Sequence, residues 1–317
     1  RKLGLAKVYP YAAVTKKLEG IEIAELGMLS EAGAVAFTDG FKSISNSRVM
    51  LQALNYAKTF DLMIVQKPED LILSGASAMN EGEIATRLGL TGNPPQSEVI
   101  IVERDLRILE ITGGKIHFSN LSTKESIDVV RRAKERGQNV SCDTAPPYFA
   151  LNELAVGDYR TFAKLSPPLR AESDRQSVID GLKDGTIDVI ASDHCPQDEE
   201  SKRLPFSQAA SGGVGLETLL PITLELFHNG HLSLLDALSF VTSKPAKLFG
   251  LPGGRLEKNA AADFALVDID IGWQVSEKTL SSKSKNSPFD GRPVQGRAIT
   301  TVIDGRFVHD PKELANT

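Results

Sequence analysis

Short apolar runs rich in β-branched residues alternate with helix-like patterns along most of the chain, and that alternation restricts the fold more than any other property. Strands are predicted at residues 6–9, 34–38, 62–66, 115–120, 139–143 and 188–193, and helices at 22–32, 47–60, 80–88, 95–112, 124–135 and 172–183. Repeated strand-then-helix units imply a parallel sheet with right-handed crossovers, which a closed barrel and a doubly wound sheet both satisfy. Capping signals agree: Ser122-Thr-Lys-Glu125 is a capping-box pattern ahead of Ile127, Val129 and Val130, and Gly137 follows where a helix should stop. Six strands are visible, and an eight-stranded barrel needs two more. The chain opens on Arg1 rather than methionine, and residues 3–9 read as the approach to an interior strand, so an upstream segment is expected.

The apolar run at 187–190 ends in Asp193 and His194, a carboxylate and an imidazole at the carboxyl end of a strand. In a parallel α/β barrel that end is where metal ligands and general bases are placed. A charged loop follows at 198–203, then the glycine-rich turn Ser211-Gly-Gly-Val-Gly215 leading into a helix at 216–227. Such a turn lets a backbone approach a small ligand, and it equally serves as plain helix entry. A further helix is predicted at 234–241. The pattern then returns to β, with runs at 264–267, 301–303 and 306–308; Asp304-Gly305 between the last two is a hairpin signal. The expected organisation is a barrel over 1–255, lacking its first strands, and a return to a small β module over 256–317.

Charge and composition remove other classes. The net charge is -5 with both signs interspersed, so no nucleic-acid footprint or membrane-surface patch is expected. No apolar window approaches the roughly 20 residues that span a bilayer, and a cytoplasmic protein is expected. With two cysteines, Cys142 and Cys195, there is no disulfide framework; each reads as a small buried hydrophobe at a strand end.

Taken together, Ile187-Asp-Val-Ile-Ala-Ser-Asp-His194, Gly215-Leu-Glu-Thr-Leu-Leu-Pro221, Ser166-Pro-Pro-Leu-Arg170, Met79-Asn-Glu-Gly82, Gly181-Leu-Lys-Asp-Gly185 and Ser282-Lys-Ser-Lys-Asn286 with Pro288-Phe289 give the chain its resemblance to the class I dihydroorotases of the amidohydrolase superfamily. The resemblance covers nearly the whole chain. It implies a (β/α)8 barrel of the TIM type with a small β module, and zinc held chiefly by histidines at the strand ends. Coordination brings the pKa of bound water down to about 7 and polarises an amide carbonyl. An aspartate after the last strand is then the general base.

Against that pattern the chain departs at the metal positions. The strand at 62–65 is followed by Gln66 where the resemblance places an imidazole, Asn120 stands where the histidine of a His-x-x-His-Val-Ser-Thr pattern belongs, and Ala145-Pro-Pro-Tyr148 replaces a Thr-Pro-His-His segment. Asp193 keeps the position of the base and reads as its relic, while Gln197 replaces a final histidine. Asp39, Asp193 and Lys7 are the residual metal candidates; Arg170, His194, Ser211, Gly212 and Gly215 are the candidate substrate contacts, with Ser166 in place of a usual asparagine. Glutamine and asparagine are poor zinc ligands. The resemblance is therefore to the metal-ligand-deficient members, which implies a non-catalytic protein of pyrimidine synthesis that partners aspartate transcarbamoylase, without a cofactor. The alternatives are an active zinc dihydroorotase that interconverts carbamoyl aspartate and dihydroorotate, its site completed upstream, and a sensor of those ligands; a homo-oligomer is compatible with each.

Overall fold

Six short strands, β1 (Tyr11–Ala12), β2 (Ala36–Phe37), β3 (Met63–Gln66), β4 (Lys115–Phe118), β5 (Val140–Thr144) and β6 (Val189–Ile190), form one parallel sheet in the computed structural model, which describes residues 5–309. Spatial order follows chain order throughout, from β1 beside β2 to β5 beside β6. A doubly wound sheet would reverse that order at a switch point. The winding is that of a barrel, here an open, curled part of one. The first predicted strand, at 6–9, is displaced to Tyr11–Ala12, and residues 3–4 of the expected approach lie outside the described residues. The run at 188–193 is a strand only at Val189–Ile190, because Asp193 takes a left-handed conformation, φ 46°, and turns the chain.

Five longer helices, α1 (Ser47–Thr59), α2 (Gln96–Thr112), α3 (Lys124–Glu135), α4 (Glu172–Asp184) and α5 (Leu216–His228), lie between or after the strands. Their apolar faces meet the sheet. Phe37, Ile64, Ile116, Phe118 and Cys142 from the strands share one buried cluster with Met50, Leu54, Val102, Leu106, Ile127, Val130 and Leu182 from the helices. Local chemistry fixes the ends: the Asn46 side chain accepts from the amides of Arg48 and Val49 at the start of α1, and Gly113 closes α2 in the left-handed region, φ 64°. The start of α3 differs from the capping box predicted on Ser122. Thr123 is the N-cap, accepting from the Ser126 amide, while Ser122 turns to the buried carboxylate of Glu98. Glu98 draws it away because it takes both the amide and the hydroxyl of Ser122 and of Thr123.

After α5 a three-stranded antiparallel sheet forms from β7 (Phe264–Gln274), β8 (Pro293–Ile303) and β9 (Arg306–His309), with β8 in the middle. The Asp304-Gly305 turn joins β8 to β9 with φ of 50° and 74°, the pair of positive values that a two-residue hairpin requires. Arg292 fastens this sheet to α5 through both carboxylate oxygens of Glu225. No helix among the described residues is long and apolar enough to cross a membrane.

Candidate functional site

The carboxyl ends of β3, β4, β5 and β6 converge on Asp193. Its Oδ1 accepts from Asn120 Nδ2 at 2.8 Å, and its Oδ2 lies 3.2 Å from the Tyr148 hydroxyl, whose single proton is shared with the Pro167 carbonyl at 3.0 Å. Both donors are neutral, and they come from two of the positions at which the sequence predicted lost imidazoles. Burial pushes the Asp193 carboxyl up to about 6, against the opposing charge of Lys67. The same burial, with Asp193 alongside, drives the Tyr148 hydroxyl well up, so it remains a donor. The cleft that Asp193 shares with Ser192, Pro147, Gly213 and Gly215 holds about 10 Å³, room for about one water molecule.

Strand parity decides which residue of β3 faces this site. Successive side chains point to opposite faces. Ile64 lies in the core cluster under the helices, and Gln66 shares its face. The Gln66 amide is spent there: Nε2 donates to Asp105 Oδ2 at 3.1 Å and to the Ile44 carbonyl at 3.3 Å, and Oε1 accepts from the Ile44 amide at 3.1 Å. The expectation that Gln66 stands in a metal position is therefore corrected. The next side chain, Lys67, is the one whose charge is felt at Asp193. Its Nζ donates to the Ser166 carbonyl at 3.0 Å and to Ser166 Oγ at 2.7 Å, and lies 5.6 Å from the centre of the Phe41 ring. Lys67 is 5% exposed and forms no ion pair among the described residues. Burial pulls its ammonium below the ordinary lysine range.

The other expected residues are placed as follows. Asp39 is 3% exposed and ties down the β1 end, accepting from the amides of Val14 and Thr15 and from the Thr15 hydroxyl. Lys7 does not reach the strand ends. It pairs with Asp263 and Asp304 at 2.6 and 2.7 Å, binding the start of the chain to the antiparallel sheet. Arg170, expected to contact substrate, is 4% exposed and donates to Asn80 Oδ1, the Asn93 carbonyl and Ser122 Oγ. It is a buried brace. His117 has both ring nitrogens engaged, Nδ1 with Ser141 Oγ at 2.8 Å and Nε2 with Asp143 Oδ2 at 2.9 Å. Asp143 also accepts from the Asn120 amide and so positions Asn120.

His194 and the glycine-rich turn meet each other rather than open space. His194 Nδ1 accepts from the amides of Gly215 and Leu216 at 3.1 and 3.3 Å, capping α5, and burial lowers its imidazole below the ordinary range. A Cβ on Gly215 would stand 2.1 Å from the Ser192 carbonyl oxygen, and one on Gly212, where φ is 120°, 2.6 Å from the Cys195 carbonyl oxygen. Both glycines are required because the turn packs backbone to backbone on the end of β6. Ser211 sits half-buried beside them, and its side chain has no hydrogen bond among the described residues. Cys142 is fully buried as expected, while Cys195 is half-exposed with its Sγ 3.2 Å from Gln197 Nε2. Lys67, Glu98 and Asp143 belong to the site and its supports without being marked by any of the sequence motifs. The parity of Ile64 and Gln66 was the signal that Lys67 faces the strand-end site.

A curled parallel sheet with a carboxylate at the end of β6 and an antiparallel sheet behind it defines an amidohydrolase: the chain belongs to the amidohydrolase family, whose model matches residues 71–308. A dihydro-orotase-like model matches residues 1–126. Within the family the chain is similar to proteins named dihydroorotase. It is 45% identical to the one from Syntrophotalea carbinolica over 96% of this chain and 72% of that protein, and 46% identical to the one from Anaplasma phagocytophilum over 94% and 67%. Among solved structures it resembles L-hydantoinase (dihydropyrimidinase) from Arthrobacter aurescens, with a TM-score of 0.82 and 25% identity over 95% of this chain and 69% of that one.

Zinc, the ion that the resemblance implies, does not fit the residues present. Among the described residues no three His, Cys, Asp or Glu side chains come together around one point. At Asp193 the neighbouring groups are an amide N–H and a phenol O–H, the latter shared with the Pro167 carbonyl, and the Lys67 ammonium exerts its charge on the carboxylate. Zinc requires lone pairs from imidazole, thiolate or carboxylate.

Proposed function

We propose that this dihydroorotase-family protein of pyrimidine synthesis is non-catalytic and acts as an assembly partner of the aspartate transcarbamoylase catalytic subunit. The observation that carries the reading is the ring of partners around Asp193. Asn120 donates to one of its oxygens and the Tyr148 hydroxyl, shared with the Pro167 carbonyl, lies against the other, where the reaction needs ligands for a metal-activated water and a base free to move a proton. Around that altered site the part of the scaffold present is well packed, with helices capped and one core cluster running from Val14 to Val294. A retained fold with altered site chemistry is what a protein kept for its surface requires. The choice of partner follows from the resemblance to the metal-ligand-deficient dihydroorotase relatives.

A second reading, an active zinc dihydroorotase, has two observations in its favour. Relatives 45% and 46% identical carry that name, and Asp193 keeps the place of the base. Size-exclusion chromatography of the full-length protein mixed with transcarbamoylase catalytic subunits from the same source tests the assembly role. A complex larger than either component, with fixed stoichiometry, is expected; separate elution across the micromolar range overturns it.

A further inference from the structure

We infer that the Lys67 side chain is the resident cation of the strand-end site, standing where the family places a divalent metal and closing that place to one. The inference deepens the non-catalytic reading and rests on it only for the identity of the site.

Three observations on different residues support it. Parity along β3 sends Gln66 toward α2 and Lys67 the other way, where its Nζ holds Ser166, the neighbour of Pro167 whose carbonyl meets the Tyr148 hydroxyl at Asp193. A buried ammonium is costly unless its charge is answered. Here Ser166 supplies two acceptors, the Phe41 ring lies alongside, and the remaining counter-charge comes at longer range from carboxylates that include Glu69 and Asp193. Asp193 has in turn no lone cation bound directly to it. One of its oxygens takes the Asn120 amide and the other lies against the Tyr148 hydroxyl, whose proton the Pro167 carbonyl shares, so the negative charge is answered by neutral groups and one nearby lysine. A divalent ion entering this arrangement would meet a lysine in its place, would have to displace both donors from Asp193, and would find N–H rather than lone pairs at Asn120. The changes at 67, 120 and 148 are thus chemically consistent with one another: one supplies positive charge without coordination, and two supply hydrogen bonds to the base without coordination.

The Gln66 and Lys67 assignments make opposite predictions, which allows a test that reads neither turnover nor assembly. Full-length wild type, Lys67→His/Asn120→His and Gln66→His/Asn120→His are titrated with cobalt(II) and followed by its visible ligand-field absorption, with zinc competition. Wild type is expected to show no saturable cobalt spectrum. The Lys67→His/Asn120→His variant is expected to gain one at stoichiometric metal, with at least a tenfold rise in affinity; the Gln66→His/Asn120→His variant is expected to stay like wild type, because a histidine at 66 points at Asp105. Thermal melts show whether each variant is folded. Should either double variant fail to fold, Lys67→Met decides by metal content and intact mass. Stoichiometric metal in wild type, a wild-type mass raised by a carboxylate on Lys67, or a stronger cobalt spectrum from the position-66 variant would each overturn the inference. Failure of the transcarbamoylase complex would leave it standing.

Discussion

Asp193 shows what burial does to a carboxylate. Burial raises its pKa to about 6, above the value of about 3.9 for an unfolded aspartate. Between those values the folded chain holds a proton that the unfolded chain has released, so stability falls as pH rises through roughly 4 to 6. Asp105, fully buried and likewise raised to about 6 by burial, acts in the same direction. Asp193→Asn should therefore flatten, without abolishing, the decline in melting temperature over that window relative to wild type. Thermal melts at intervals from pH 4 to 7.5 measure it, and an unchanged slope would show that Asp193 titrates normally. Steric demands are equally local. Gly215→Ala places a methyl group inside the contact distance of Ser192 and is expected to cost roughly 3 kcal/mol by urea unfolding.

At the scale of elements, the turn into α3 is organised by a single buried carboxylate. Glu98 on α2 accepts two amides and two hydroxyls from Ser122 and Thr123, and so holds the end of β4, the start of α3 and the middle of the sheet in one network. Thr123→Ala removes an N-cap and should cost about 1 kcal/mol. Glu98→Ala leaves four donors without their acceptor and should cost roughly 3 kcal/mol or more in the same measurement. Equal costs would contradict the network. Such elements were largely legible in the sequence. Periodicity located α3 and, within a residue at each end, α1, α2 and α4, and the Asp304-Gly305 hairpin forms where expected. Cap choice and side-chain direction were less legible. Ser122 lost the cap to Thr123 because Glu98, 24 residues away in sequence, competes for it. Gln66 stands at a metal position only by the resemblance, which places an imidazole after the strand at 62–65, whereas its parity with Ile64 points it to the helices. Arg170 is a candidate substrate contact by the resemblance, and sequence alone does not show that it is buried and braced by Asn80, Asn93 and Ser122.

For the whole molecule, a barrel-type sheet and an antiparallel sheet are preserved around a strand-end site whose polar groups satisfy one another. A hydrolase needs unsatisfied, pre-organised groups aimed at a substrate and its activated water. At Asp193 the structure shows a carboxylate held by Asn120 and Tyr148 beside a buried lysine, with room for about one water. That arrangement is what the proposed non-catalytic role calls for, and under that proposal the retained fold serves what its surface joins. The most direct test is the ring closure of carbamoyl aspartate by the full-length protein, assayed by dihydroorotate formation with zinc supplied and with transcarbamoylase both absent and present. No dihydroorotate above the enzyme-free rate is predicted under either condition; saturable formation that scales with this protein's concentration would contradict the account.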